Sequence, residues 1–210
     1  MGINRGPLLA ALLSISSAAF LASCGSAKQP LTSEEQQAWD NFIGKQLSQT
    51  MQRPTSQDAN AVAAIGDKIV PYIEESLGKG AAASIHNAGP SDHWLVIVLA
   101  RIGTPRAVEG ISKVLRHEYP GRLGIDRETA AKAVEWLGAK EAIPALEYAI
   151  QDHIEEIIEQ TGSPPDENNL LDEYGQEVKR LRQRLENLKA GKGVRATTNF
   201  PYDRKADSEG

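Results

Sequence analysis

The chain holds a single cysteine, Cys24, in 210 residues, which excludes an internal disulfide and a cysteine-rich metal site. Aromatic residues make up only 5% of it, against 40% hydrophobic residues in all. A core must therefore be built from Ala, Leu, Ile and Val, a composition that favours closely packed helices over a β-sandwich. Positive charge is also short: 23 Lys and Arg against 28 Asp and Glu leave a formal charge of −5, so nucleic acid is not an expected partner. Catalytic signatures are missing as well. The sequence has no GxSxG elbow, no phosphate-binding P-loop and no GxGxxG. His86, His93, His117 and His153 stand without metal-ligand spacing, and His117-Glu118 lacks the second histidine of a HExxH helix. No catalytic residue and no metal are expected, and the chain reads as a non-enzyme. His86, Asp92 and His93 flank a Gly-rich stretch and are the nearest approach to a polar constellation.

What is there begins with an address. Arg5 gives a short positive n-region, and Pro7 to Ala22 form a mostly apolar stretch with small residues toward its end, the layout of an export signal. At about 16 residues it falls short of the roughly 20 that span a bilayer. It ends in Leu21-Ala22-Ser23-Cys24, which resembles the lipobox of bacterial lipoproteins. That resemblance implies cleavage before Cys24 and a diacylglyceryl group on its sulfur, often with a further acyl chain such as palmitate on the new amino group. Two or three chains make a durable anchor at roughly 0.8 kcal/mol per buried methylene. The lipid would be the only cofactor-like group. Gly25-Ser26 follows, with no Asp of the kind that retains such proteins at an inner membrane. The resemblance thus implies an outer membrane facing the periplasm, or the cell surface of a single-membrane bacterium.

Beyond the anchor the chain repeats itself. Ile102-Gly103-Thr104-Pro105-Arg106-Ala107-Val108 and the residues after it align without gaps with Leu137-Gly138-Ala139-Lys140-Glu141-Ala142-Ile143, at an offset of 35. A weaker copy starts at Ile65-Gly66-Asp67. Each unit reads as an apolar helix, an aliphatic-Gly stop, a turn and a second amphipathic helix, with Pro71 and Pro144 at matching places in the first turn of the second helix. Helical hairpins at this period predict a solenoid. The wording resembles the HEAT-like repeats named after phycobilisome lyases, over roughly Ala59 to Asp152. The resemblance speaks for architecture and does not transfer lyase activity. Where that family usually has Asp before Pro, this chain has Thr104-Pro105 and Ala139-Lys140.

The expected fold is all-α: a short solenoid of about three HEAT-like helical hairpins between an N-terminal helix and a C-terminal heptad helix. By residue this gives a signal (1–23), a lipidated tether (24–31), the first helix (32–53), the repeats (54–162), the heptad helix (163–190) and a disordered tail (191–210). Trp94 to Ala100 is apolar on every side and predicts the most buried helix, with Ser91 as its cap. Asp126 is the expected cap of the first helix of the third unit, and Gly78–Pro90 and Glu118–Ile125 read as loops. Leu171, Tyr174, Val178, Leu181, Leu185 and Leu188 are spaced as a heptad seam. The seam either packs back on the solenoid or pairs with another helix, giving a homo-oligomer through residues 171–188.

Three functions follow. In the first, the chain is a membrane-anchored, non-catalytic scaffold. The repeat resemblance implies a partner surface on the second helices, with Glu74, Glu75, Ser112, Lys113, Arg116, Glu147 and Gln151 meeting a protein or peptide. In the second it is a structural or assembly lipoprotein that self-associates through its C-terminal helix. In the third it binds a small molecule or acts as an enzyme through a pocket the sequence does not reveal.

Overall fold

The computed structural model describes residues 28–47, 54–84, 92–119 and 127–192. Every regular element among them is helical. The elements are α1 (Ser33–Leu47), α2 (Ser56–Ala63), α3 (Val70–Ser84), α4 (Asp92–Ile102), α5 (Pro105–Leu115), α6 (Arg127–Leu137), α7 (Ile143–Thr161) and α8 (Glu173–Lys189), with short 3₁₀ turns at Gly66–Lys68 and Lys140–Ala142. Helices α2, α4, α6 and α8 pack each on the next in one layer, α3, α5 and α7 do so in a second, and α1 covers α2. This is the stacked-hairpin arrangement of an all-α solenoid.

The repeat alignment is visible in the backbone. Gly66, Gly103 and Gly138, the three aliphatic-Gly stops, all adopt positive φ, at 70°, 62° and 63°, where a side chain would strain the helix end. The units enter their second helices differently. In the middle unit the Thr104 hydroxyl accepts from Ala107 N at 3.3 Å and Pro105 opens α5 directly. In the third unit the matching residue is Ala139, which offers no cap, and a 3₁₀ turn precedes α7. Thr104 also donates to Asp67, the residue at the same place in the first unit's turn, so successive turns are tied in register.

Helix α4 is the centre. Leu95 through Ala100 are all buried, because α2, α3, α5 and α6 surround it. Each such aliphatic side chain contributes roughly 1.5–3 kcal/mol when removed from water. At the N-terminal end, Thr32 and Glu35 form a reciprocal capping pair, at 2.7 and 3.3 Å, and Trp39 and Phe42 close the core.

Three expectations change. Gly78–Ser84 is the last part of α3 and not a loop. The glycines there weaken a helix by about 1 kcal/mol each, and the alanine run that follows favours it. The tether expected at 24–31 is docked over its last residues: Tyr72 Oη donates to Gln29 O at 2.9 Å, and Lys28 Nζ stands 4.6 Å above the Tyr72 ring. The heptad seam is used only in part. Val178, Leu181, Leu185 and Leu188 are buried against α6 and α7, whereas Leu171 lies before the helix and is 91% exposed, and Tyr174 is also exposed. Helix α8 thus takes the place that the first helix of a fourth unit would occupy. Ser91, Asp126 and Cys24 lie outside the described residues, as do the whole of 1–27 and the tail from 193.

Candidate functional site

Most polar side chains here close the fold, and one group stands apart. At the end of α5 the chain makes a Schellman turn: His117 N donates to Val114 O at 3.2 Å and Glu118 N to Lys113 O at 3.0 Å. Gly138 and Gly191 fill the left-handed position of the same motif after α6 and α8. After α5 that position is His117, at φ 56°, a conformation that costs a non-glycine residue roughly 1 kcal/mol. The turn aims the imidazole at α7, where Nδ1 lies 3.3 Å from Asp152 Oδ2.

Arg127, at the start of α6, fills the middle of this group and is only 7% exposed. Its Nη2 donates to Asp152 Oδ2 at 3.1 Å and Glu156 Oε2 at 2.8 Å, and its Nη1 lies 3.2 Å from His153 Nδ1. His153, buried on α7, turns its other nitrogen toward Glu177 of α8, 3.4 Å away and too long for a well-formed hydrogen bond. The hub therefore joins α5, α6, α7 and α8 through six titratable or charged side chains. Burial, then the Arg127 charge, hold the His117 imidazole below its ordinary range despite Asp152 and Glu156. The His153 ring beside it, outweighing burial, holds Glu177 below the usual carboxylate range.

The donor atoms of His117, Asp152 and Glu156 lie within 4.8 Å of one another, close enough to suggest a metal site. The chemistry argues otherwise. Arg127 already bridges the two carboxylates, and a divalent ion on the same oxygens would sit against a buried guanidinium. Arg127 is the resident cation.

The residues expected to form a partner surface on the second helices are largely paired within the chain. Helix α5 lies between α3 and α7. Lys113 pairs with Glu74 at 2.6 Å, Glu75 with Lys28 and Lys79, and Arg116 with Glu109 at 2.7 Å and with Glu118. Glu147 meets Lys189 at 2.9 Å, and Gln151 donates to Glu155 at 2.8 Å. Ser112 is corrected: it is 3% exposed, buried because α5 is flanked on both sides, and cannot meet a partner. Glu74 also receives the long contact of Tyr119 Oη at 3.4 Å, and burial followed by that carboxylate pushes the phenol far above its ordinary range.

Two other sequence candidates, His93 and Arg101, tie helices together. His93 Nδ1 lies 2.9 Å from Thr129 Oγ1, tying α4 to α6. His86 and the Asp92 side chain lie outside the described residues. Arg101 reaches back to α2, donating to Ser56 O at 2.6 Å and Asn60 Oδ1 at 3.0 Å. A groove of about 280 Å³ between α1 and α2 is lined by Glu34, Gln37, Asn41 and Asp58, with Asp58 engaged by Lys45 at 2.7 Å. No helix among the described residues is long and apolar enough to cross a membrane. No family model, no curated protein and no solved structure matches the chain.

Proposed function

We propose that the chain is a bacterial lipoprotein, anchored through lipid on Cys24, whose helical stack acts as a non-catalytic scaffold for a protein or peptide. The observation that supports this most is the ladder of second helices. Helices α3, α5 and α7 lie side by side, with Glu75, Glu147 and Gln151 exposed and Arg116 half-buried at the end of α5. Such a face recognises an extended or helical partner by exchanging its own ion pairs for intermolecular ones, a process that sets orientation and on-rate more than affinity. The lipid confines the module to two dimensions and raises its effective concentration near membrane partners. The residues after Cys24 favour an outer-membrane position facing the periplasm, or the cell surface in a single-membrane bacterium.

Two measurements test this reading. Labelled palmitate should enter the wild-type chain and not Cys24→Ala; equal labelling of both removes the anchor. Charge reversal by Glu147→Lys with Gln151→Arg should weaken partner capture by about tenfold or more, with only a small fall in melting temperature from loss of the exposed Glu147–Lys189 pair. Unchanged capture would take recognition off this face.

A further inference from the structure

Lys28 is the first described residue, four positions after Cys24, and it is already held. Its ammonium pairs with Glu75 and stands 4.6 Å above the Tyr72 ring, while the Gln29 carbonyl accepts from Tyr72 Oη at 2.9 Å. Leu31 then packs on the core. At the first turn of α1, Glu35 pairs at 2.5 Å with Lys68, which lies just before α3 in the chain. Residues 28–31 thus form a strap over the first two turns of α3, with the start of α1 beside it. The contacts differ in kind, an ion pair, a cation over an aromatic face and a neutral hydrogen bond. Closing so short a segment next to Leu31 costs little chain entropy.

We propose that this strap decides which edge of the molecule faces the membrane: the start of α3 and the first turn of α1. The inference rests on lipidation of Cys24. Four residues span at most about 14 Å when fully extended. A lipid on Cys24 therefore keeps Lys28, and with it Tyr72 and Glu75, within that distance of the headgroups. Without the strap the first fixed point is Leu31, seven residues from the anchor, and the reach grows to about 25 Å. The strap thus shortens the leash to little more than half and attaches it at one edge of the stack. Helix α7 lies two helices further on, beyond α5, at roughly 8–10 Å per step, and is the second helix farthest from the anchor. Because the strap takes up Glu75 on α3, the partner's share of the second-helix face is the part away from the bilayer, at Glu147 and Gln151.

The test couples residues 24–210 through Cys24, the only thiol in the chain, to a maleimide lipid in vesicles. The anchor is then present whether or not cells lipidate it, so the palmitate experiment reports on lipidation and this one on the strap alone. Energy transfer to acceptor lipids is measured from a dye on an unnatural residue at position 33, at the start of α1, or at position 159, near the end of α7; Ser33 and Glu159 are both exposed. Lys28→Gln with Tyr72→Phe removes the ion pair, the cation and the hydrogen bond but keeps the ring that packs on the core, so the melting temperature should change little. The wild type should transfer more strongly from position 33 than from position 159, and the double variant should lose most of that difference. Equal or reversed transfer in the wild type overturns the proposal, as does a difference that the double variant leaves unchanged.

Discussion

His153 Nδ1 lies 3.2 Å from the Arg127 guanidinium, and this contact fixes which imidazole nitrogen carries the hydrogen. A guanidinium has only donors, so Nδ1 must accept and the hydrogen stays on Nε2, pointing at Glu177. Arg127 is the one fixed cation of the hub.

Removing that cation leaves Asp152 and Glu156 facing each other with nothing between them. Arg127→Met should cost about 2–3 kcal/mol, below the usual figure for a broken buried pair because both carboxylates keep some solvent. Urea unfolding measures it. Zinc should leave the wild-type midpoint where it is and raise that of Arg127→Met, since His117, Asp152 and Glu156 are then free to share an ion. Equal stabilisation of both proteins by zinc would show that Arg127 does not hold the site.

Acid should weaken the hub from the histidine side first. The folded His117 resists protonation, whereas the unfolded chain takes up the proton near the ordinary imidazole value of about 6.5. Below that pH the unfolded state binds more protons, so the stability present at pH 7 falls as the pH drops. Glu177, lowered in the fold, loses its contribution only further down, below the ordinary carboxylate value. His117→Gly keeps the left-handed turn without strain, and should flatten the decline between pH 7 and 5 when unfolding midpoints are compared. A slope unchanged by His117→Gly would place the titration elsewhere.

Gly175 supplies a sharper steric test. A Cβ built there would stand 2.1 Å from the Asp166 carbonyl oxygen, whereas one on Gly44 meets nothing within 4 Å. Gly175→Ala should lower stability by about 1–3 kcal/mol through overpacking against the backbone. Gly44→Ala, within α1, should raise it by about 0.5–1 kcal/mol. Thermal melts of the two variants should move in opposite directions.

Truncation at residue 166 should not yield a folded repeat domain. It removes four buried aliphatic side chains, Val178, Leu181, Leu185 and Leu188, together with Arg184 and Asn187, which clamp Glu135 at 2.6 and 2.7 Å. At roughly 1.5–3 kcal/mol per side chain the loss rivals the whole stability of an ordinary domain. Aggregation or loss of helical signal on expression of residues 24–165 is the expected outcome. A soluble, cooperative truncation would show α8 to be dispensable.

Much of the fold could be read from residue spacing, because the features that define it are local. The aliphatic-Gly stops, the apolar run of α4, and the end of α7 at Thr161-Gly162 depend on neighbours three or four residues away. The hub was not legible. His117, Arg127, Asp152, Glu156 and Glu177 come from four helices, and no spacing links them. One signal was present: a histidine where a helix-ending glycine is usual, after Arg116. Ser112 misled for a related reason, since an amphipathic pattern does not say that α5 has helices on both flanks. Leu171 fitted the heptad spacing but precedes Asp172, whose side chain caps α8 by accepting from Gly175 N at 3.0 Å, so the seam stops one turn short.

The central claim is that the second-helix face meets a partner at a membrane. Its most direct test is a photo-crosslinking residue in the full chain in living cells, at Gln151 on α7 and, as a control, at Gln57 on α2, both exposed glutamines. A discrete adduct is expected from position 151, absent from position 57 and lost when Cys24→Ala releases the chain from the membrane. No adduct from position 151, or the same adducts from both positions, would contradict it.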